Sequence, residues 1–226
     1  MIRQAPSPNH DARPVGTPID MLILHYTGMA SGAAALARLR DPEAKVSAHY
    51  LVEEDGRVFA LVPEERRAWH AGVSHWRGTS GLNGRSIGIE IVNPGHAHGY
   101  RPFPVFQMLA VAELCLAVLG RHPIPARNVL GHSDVAPDRR DDPGELFDWE
   151  GLAGQGVGIW PGQPAAPAAA EAVPGLLATI GYRVDLDIAV VLRAFQRHWR
   201  PGLVDGVADE ETRGLLRAVA AAAGGA

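Results

Sequence analysis

The sequence predicts an α/β fold, with a mixed central β-sheet flanked by helices and a small all-α unit of three helices after it. Three observations lead there. Strand-like apolar runs and helical periodicities alternate as far as Leu152, in the order strand, helix, hairpin, strand, helix. From Pro161 to Val173 the chain is almost entirely Pro, Ala, Gly, Gln and Glu, a composition that buries little and resists regular structure. Beyond it, apolar residues recur at helical spacing alone. A chain of 226 residues can bury one substantial core and a smaller one. The boundaries read as 1–160 for the α/β domain, 161–173 for a linker and 174–226 for the helical domain.

The first strand is the apolar run Met21 to Tyr26, set between Pro18 and Gly28, with His25 near its carboxyl end. Ser31 caps a helix running to about Arg40, which Pro42 stops. Ala48 to Glu53 and Arg57 to Val62 flank an Asp55-Gly56 pair, whose positive φ suits a tight antiparallel hairpin. In Ser86 to Val92 the residues alternate, with Ile87, Ile89 and Ile91 on one face and Glu90 on the other. A helix follows over Phe106 to Leu119, expected to pack through Leu109, Ala112, Leu116 and Leu119. Past the linker, Ile188, Val191, Leu192, Phe195 and Trp199 form an amphipathic stripe, with shorter helical patterns near Leu176 and after Asp209, and a frayed tail from Ala220.

Composition excludes several function classes. Asp and Glu number 25 against 21 Lys and Arg, a net charge of −4 with no basic stripe, which argues against a nucleic-acid partner. The only cysteine, Cys115, sits among Leu114, Leu116 and Val118 and reads as core filling, so no internal disulfide is possible. Met1 to Pro14 carries prolines and polar residues where an export signal needs an apolar stretch, and no uncharged run is long enough to cross a bilayer. A soluble protein is expected.

Of ten histidines, only His25 and His132 stand beside strand-like runs, where a scaffold would position them. His132 opens the segment from Gly131 to Gly144, rich in turn formers and aspartates. A hydrolytic zinc site takes three protein ligands, commonly imidazoles and a carboxylate, and leaves a fourth position for water. His25, His132 and one aspartate meet that need; spacing leaves Asp134, Asp138, Asp141 and Asp142 all open.

The strings Leu24-His25-Tyr26-Thr27, Ser47-Ala48-His49-Tyr50, Trp69-His70-Ala71-Gly72, Ser86-Ile87-Gly88-Ile89-Glu90 and Gly131-His132-Ser133-Asp134 through Asp142-Pro143-Gly144 occur in that order. Together, and with Ser7-Pro8-Asn9, they resemble the AmpD and AmiD branch of the zinc-dependent bacterial N-acetylmuramoyl-L-alanine amidases, which share the fold of the peptidoglycan recognition proteins. The resemblance implies His25, His132 and Asp142 as zinc ligands, a structural Asp134, and Glu90 as the general base. Arg140 stands where the family usually carries a lysine that steadies the oxyanion. His49, Trp69 and His70 are expected near the substrate pocket and His96 and His98 in solvent; Trp76, like Trp69, could offer its ring to a sugar or peptide face, though a large aromatic more often fills core. Leu192 to Arg197, Val204 to Val207 and Thr212 resemble the helical peptidoglycan-binding module found beside cell-wall hydrolases.

The activity so implied is hydrolysis of the amide between the lactyl group of N-acetylmuramic acid, or its 1,6-anhydro form, and L-alanine, in muropeptide recycling. The expected partners are anhydro-muropeptides or peptidoglycan, the expected state a monomer. Cytoplasm is the expected compartment, with the periplasm as the alternative if a signal segment has been removed. Two other readings are a non-catalytic recognition protein, which would typically have lost a zinc ligand, and an exported amidase that remodels intact wall.

Overall fold

The computed structural model describes residues 1–224. Its strands are β1 (Arg3–Gln4), β2 (His10–Ala12), β3 (Met21–Tyr26), β4 (Tyr50–Val52), β5 (Val58–Ala60), β6 (Arg66–Ala68), β7 (His75–Trp76), β8 (Thr79–Ser80), β9 (Ser86–Ile91) and β10 (Val129–Gly131). Its α-helices are α1 (Gly32–Arg40), α2 (Val105–Arg121), α3 (His132–Val135), α4 (Trp149–Gly154), α5 (Val173–Ile180), α6 (Ile188–Trp199) and α7 (Glu210–Gly224).

Six strands form the central sheet in the order β1-β5-β4-β9-β3-β10. The β4–β5 hairpin is antiparallel and every other pairing is parallel, so the sheet is mixed, as the alternation of elements predicts. The period of two sorts its faces. Leu22 and Leu24 of β3 with Ile87, Ile89 and Ile91 of β9 pack against α2. On the opposite face Leu51 meets Ala35 and Leu39 of α1, while Met21 and Ile23 meet the carboxyl-terminal helices. Ser31 caps α1 through its side chain, and Asp187 caps α6.

Helix α2 packs through a different stripe from the one expected. Leu109 and Leu116 are exposed, while Val111, Ala112, Leu114, Cys115 and Val118 are buried. The helix is apolar on two stripes, and Gln107 selects between them: its buried amide donates to the carbonyls of Val52 and Val92 at the sheet's end.

The Pro/Ala-rich stretch lies along α7, where the Ala165 N–H donates to the Gly214 carbonyl and Arg213 donates to that of Ala168. Val173, assigned to the linker, is instead the first residue of α5 and is buried. Val191, Leu192, Phe195 and Trp199 of α6 join Met21, Ile23, Leu130, Trp76 and Val135 in one continuous core. The tail expected to fray from Ala220 is helical through Gly224, with Ala220 and Ala223 buried against that core. Residues 225 and 226 of that tail lie outside the described residues.

Candidate metal centre and cleft

Strand register builds the site. Glu90 of β9 lies directly across from His25 of β3. Gly131 of β10 pairs with Leu24, so His132, the next residue, emerges beside His25 at the same level. Three neighbouring parallel strands thus deliver Glu90, His25 and His132 in a row at their carboxyl ends, where open α/β sheets place their ligands. Asp142 returns from the following loop, its carbonyl accepting from the Ser133 N–H at 2.8 Å.

Nδ1 of His25 lies 3.0 Å from Nδ1 of His132, and each lies 3.1 Å from Oδ2 of Asp142. All three residues are buried. The Nε2–H of His132 is directed at the Ala71 carbonyl, 3.1 Å away, which leaves its Nδ1 as a lone pair. Nε2 of His25 faces Nδ1 of His70 at 3.0 Å. Two inward nitrogens and a carboxylate oxygen therefore converge, a donor set that fits a divalent cation and forms the one His/Asp cluster of metal-ligand geometry found among the described residues.

Electrostatics agree with that fit. Burial, followed by the neighbouring His132, lowers the pKa of His25 to about 4, so it is neutral and able to ligate at neutral pH. Burial alone would raise Asp142; the adjoining His132 and His25 outweigh it and hold the carboxyl well below the usual range. Glu90 shifts the other way, pushed well above an ordinary carboxylate by burial and then by the negative Asp142, against the opposing pull of Arg140. Its buried Oε2 has no hydrogen-bond partner.

These groups line a cavity of about 480 Å³, whose wall also includes Trp69, His70, Arg140, Arg38, Lys45 and Tyr26. Arg140 is exposed at its rim and Trp69 is half-buried. His49 does not reach the cavity. It is wholly buried behind His70, its Nδ1 accepting from the Gly88 N–H at 2.9 Å and its Nε2 directed at the Arg66 carbonyl at 3.1 Å. Of the two roles open to Trp76, the structure takes core filling. His98 is exposed; His96, also exposed, is tied to Tyr26 Oη at 3.0 Å and to Glu145, and lines the cavity wall.

Asp134 faces away from the centre. Its Oδ2 accepts from the Gly131 N–H and from Nδ1 of His198, both at 2.7 Å, and its Oδ1 accepts from Tyr182 Oη at 2.5 Å. The Ser7 and Asn9 side chains donate to the carbonyls of Leu39, Asp41 and Val46, pinning the exit of α1 beside the cleft. Sequence reasoning missed Arg38, Lys45 and Tyr26 as wall residues; Arg38 and Lys45 belong to no motif, whereas Tyr26 sits in the Leu24-His25-Tyr26-Thr27 string next to a candidate ligand.

The family described as N-acetylmuramoyl-L-alanine amidase matches residues 15–145 of this chain. Over 229 aligned residues the chain is 39% identical to the N-acetylmuramoyl-L-alanine amidase AmiD of Escherichia coli, covering 89% of this chain and 82% of that protein. It is 35% identical over 164 residues to the 1,6-anhydro-N-acetylmuramyl-L-alanine amidase AmpD of Enterobacter cloacae, covering 65% of this chain and 86% of that one. The solved complex of Escherichia coli AmiD with the substrate anhydro-N-acetylmuramic acid-L-Ala-D-gamma-Glu-L-Lys superimposes with a TM-score of 0.84 at 38% identity, over 93% of this chain and 92% of that one.

Proposed function

Since this chain belongs to the N-acetylmuramoyl-L-alanine amidase family, we propose that it hydrolyses the amide between the lactyl group of 1,6-anhydro-N-acetylmuramic acid and L-alanine in soluble muropeptides. The observation that carries this reading is the row of Glu90, His25 and His132 at the carboxyl ends of three neighbouring strands, closed by Asp142. A recognition protein without catalysis has no use for a carboxylate with a buried, unpartnered oxygen beside a complete ligand set.

His25 Nδ1, His132 Nδ1 and Asp142 Oδ2 would hold the metal, and two imidazoles with one carboxylate suit zinc. Zinc there would act as a Lewis acid on the scissile carbonyl and on the attacking water. Glu90 takes the proton from that water and returns it to the L-alanine nitrogen as the C–N bond breaks; its upward-shifted carboxyl suits both transfers. Arg140 faces the oxyanion from the rim, replacing a compact ammonium by a broad guanidinium. Trp69 offers a ring, and Arg38 and Lys45 offer charge, to the sugar and to the carboxylates of the stem peptide.

Residues 1–160 form the catalytic part in this reading, and 173–226, joined through 161–172, the peptidoglycan-binding-like part of a monomer. No described helix is long and apolar enough to cross a membrane. Recycling of soluble anhydro-muropeptides places the protein in the cytoplasm; action on intact wall places it in the periplasm. Incubation with purified anhydro-muropeptide and, separately, with intact sacculi tests the reading, products being identified by mass spectrometry. Release of a peptide that starts with L-alanine, faster from the soluble fragment, is expected. Muropeptide left intact, or cleavage within the peptide, would rule it out.

A further inference from the structure

The pair His70-Ala71 faces both ligand histidines. Ala71 presents its carbonyl to Nε2 of His132 at 3.1 Å, and His70 presents Nδ1 to Nε2 of His25 at 3.0 Å, ring edge to ring face at 83°. The backbone N–H groups of His70 and Ala71 both donate to Oδ1 of Asn83, at 3.2 and 2.7 Å, which holds the pair in place.

His70 is built in. Gly88, in the strand that carries Glu90, clears its seat: a Cβ there would stand 2.4 Å from Cγ of His70. Ser86, two residues earlier on the same strand face, is wholly buried, with its Oγ 3.1 Å from Nε2 of His70 and 2.8 Å from the Leu82 carbonyl. A carbonyl only accepts, so the shorter contact takes the hydroxyl proton and leaves Ser86 Oγ as an acceptor. Nε2 of His70 must then carry a proton, and its Nδ1 is a lone pair. That lone pair can only receive, so Nε2 of His25 carries a proton too and Nδ1 of His25 is left free.

We infer that His70 is a positioning residue for the metal centre: fixed by Ser86, it accepts the Nε2 proton of His25 and commits Nδ1 of His25 to the metal. The chain of donation runs from His25 to His70 to Ser86 to Leu82, with no net charge along it. Metal-bound imidazoles usually hand their second N–H to a carboxylate or carbonyl; here a neutral imidazole takes that place for one ligand and a backbone carbonyl for the other. This rests on the proposed metal site.

The test uses the full chain loaded with zinc and labelled with nitrogen-15 in its histidines. Long-range proton–nitrogen correlation reads each tautomer, and chelator competition reads the zinc dissociation constant. In wild type, His25 and His70 are both expected to carry the proton on Nε2. His70→Leu should weaken zinc binding by about 10- to 100-fold. His70→Asn, which returns an acceptor near the position of Nδ1, should restore most of that loss, and Ser86→Ala should release the His70 tautomer. A His70 protonated on Nδ1 in the zinc-loaded wild type, or a folded His70→Leu with unchanged zinc affinity, would overturn the relay while leaving the metal site standing. Wild-type protein that takes up no zinc would overturn the metal site itself and the relay with it. The tautomer measurement on wild type decides the matter even if His70→Leu does not fold.

Discussion

Asp134 accepts a hydrogen bond from His198 at 2.7 Å, so the short helix that begins with the candidate ligand His132 is braced from behind by the carboxyl-terminal helices. Tyr182 donates to the same carboxylate, Arg197 pairs with Asp141 at 2.6 Å, and the His198 ring stacks on Trp149. Tyr182→Phe removes one donor from a buried carboxylate and should cost about 1–3 kcal/mol. His198→Leu should cost at least as much. Thermal unfolding measures both; an unchanged midpoint for either variant would mean that Asp134 does not depend on these partners.

Acid should unfold the metal-free protein earlier than its carboxylates require. Burial lowers His25 to about 4 and His49 to about 3, and places His70 well below its ordinary value. A depressed folded pKa means that the unfolded chain takes up its proton first, so stability is complete above about pH 6.5 and falls as pH drops toward 4. Each such histidine adds a slope of up to about 1.4 kcal/mol per pH unit within that window. Urea unfolding between pH 7.5 and 5 reads the effect, and a flat profile would show these imidazoles to be open to solvent.

Glu90 should show the opposite sign. Its folded pKa is raised, so its contribution is intact below the unfolded value and is lost as pH rises through the folded one. Glu90→Gln should therefore stabilise the metal-free protein at neutral pH, by about 1–2 kcal/mol, as removal of a strained functional charge commonly does. A loss of stability at pH 7.5 would show that the carboxylate is better solvated than its surroundings indicate.

Arg140 lines the cavity from an exposed position, which makes it the tolerant member of the site. Arg140→Ala should lower kcat by about 100-fold or more if it serves the oxyanion, with little effect on stability. Arg140→Lys should retain much of the rate, since the charge remains. Equal rates for wild type and Arg140→Ala would remove the arginine from the mechanism.

What could be read in the sequence was local or motif-borne. The strand Met21–Tyr26, the hairpin around Gly56 and the alternation that turns Glu90 away from the isoleucines follow from periodicity within one segment. The packed face of α2 did not, because two apolar stripes compete and Gln107 settles the choice through carbonyls far away in the chain. His49 and His70 sit in equally suggestive strings, yet one is sealed behind the other: the space over Gly88 seats the His70 ring beside His25, while His49 is held by the Gly88 N–H and the Arg66 carbonyl. Spacing left four aspartates near His132. The fold turns Asp134 toward Tyr182 and His198 and brings Asp142 to the two imidazoles, a sorting made by distant contacts that no local pattern contains.

The most direct test is the rate at which Glu90→Gln protein, matched to wild type in zinc content, releases L-alanine-terminated peptide from anhydro-muropeptide. The predicted result is one zinc per chain with turnover reduced by about 10²- to 10⁴-fold, the usual contribution of a positioned acid–base group. Turnover equal to wild type at the same zinc content would contradict the assignment of Glu90 and the chemistry built on it.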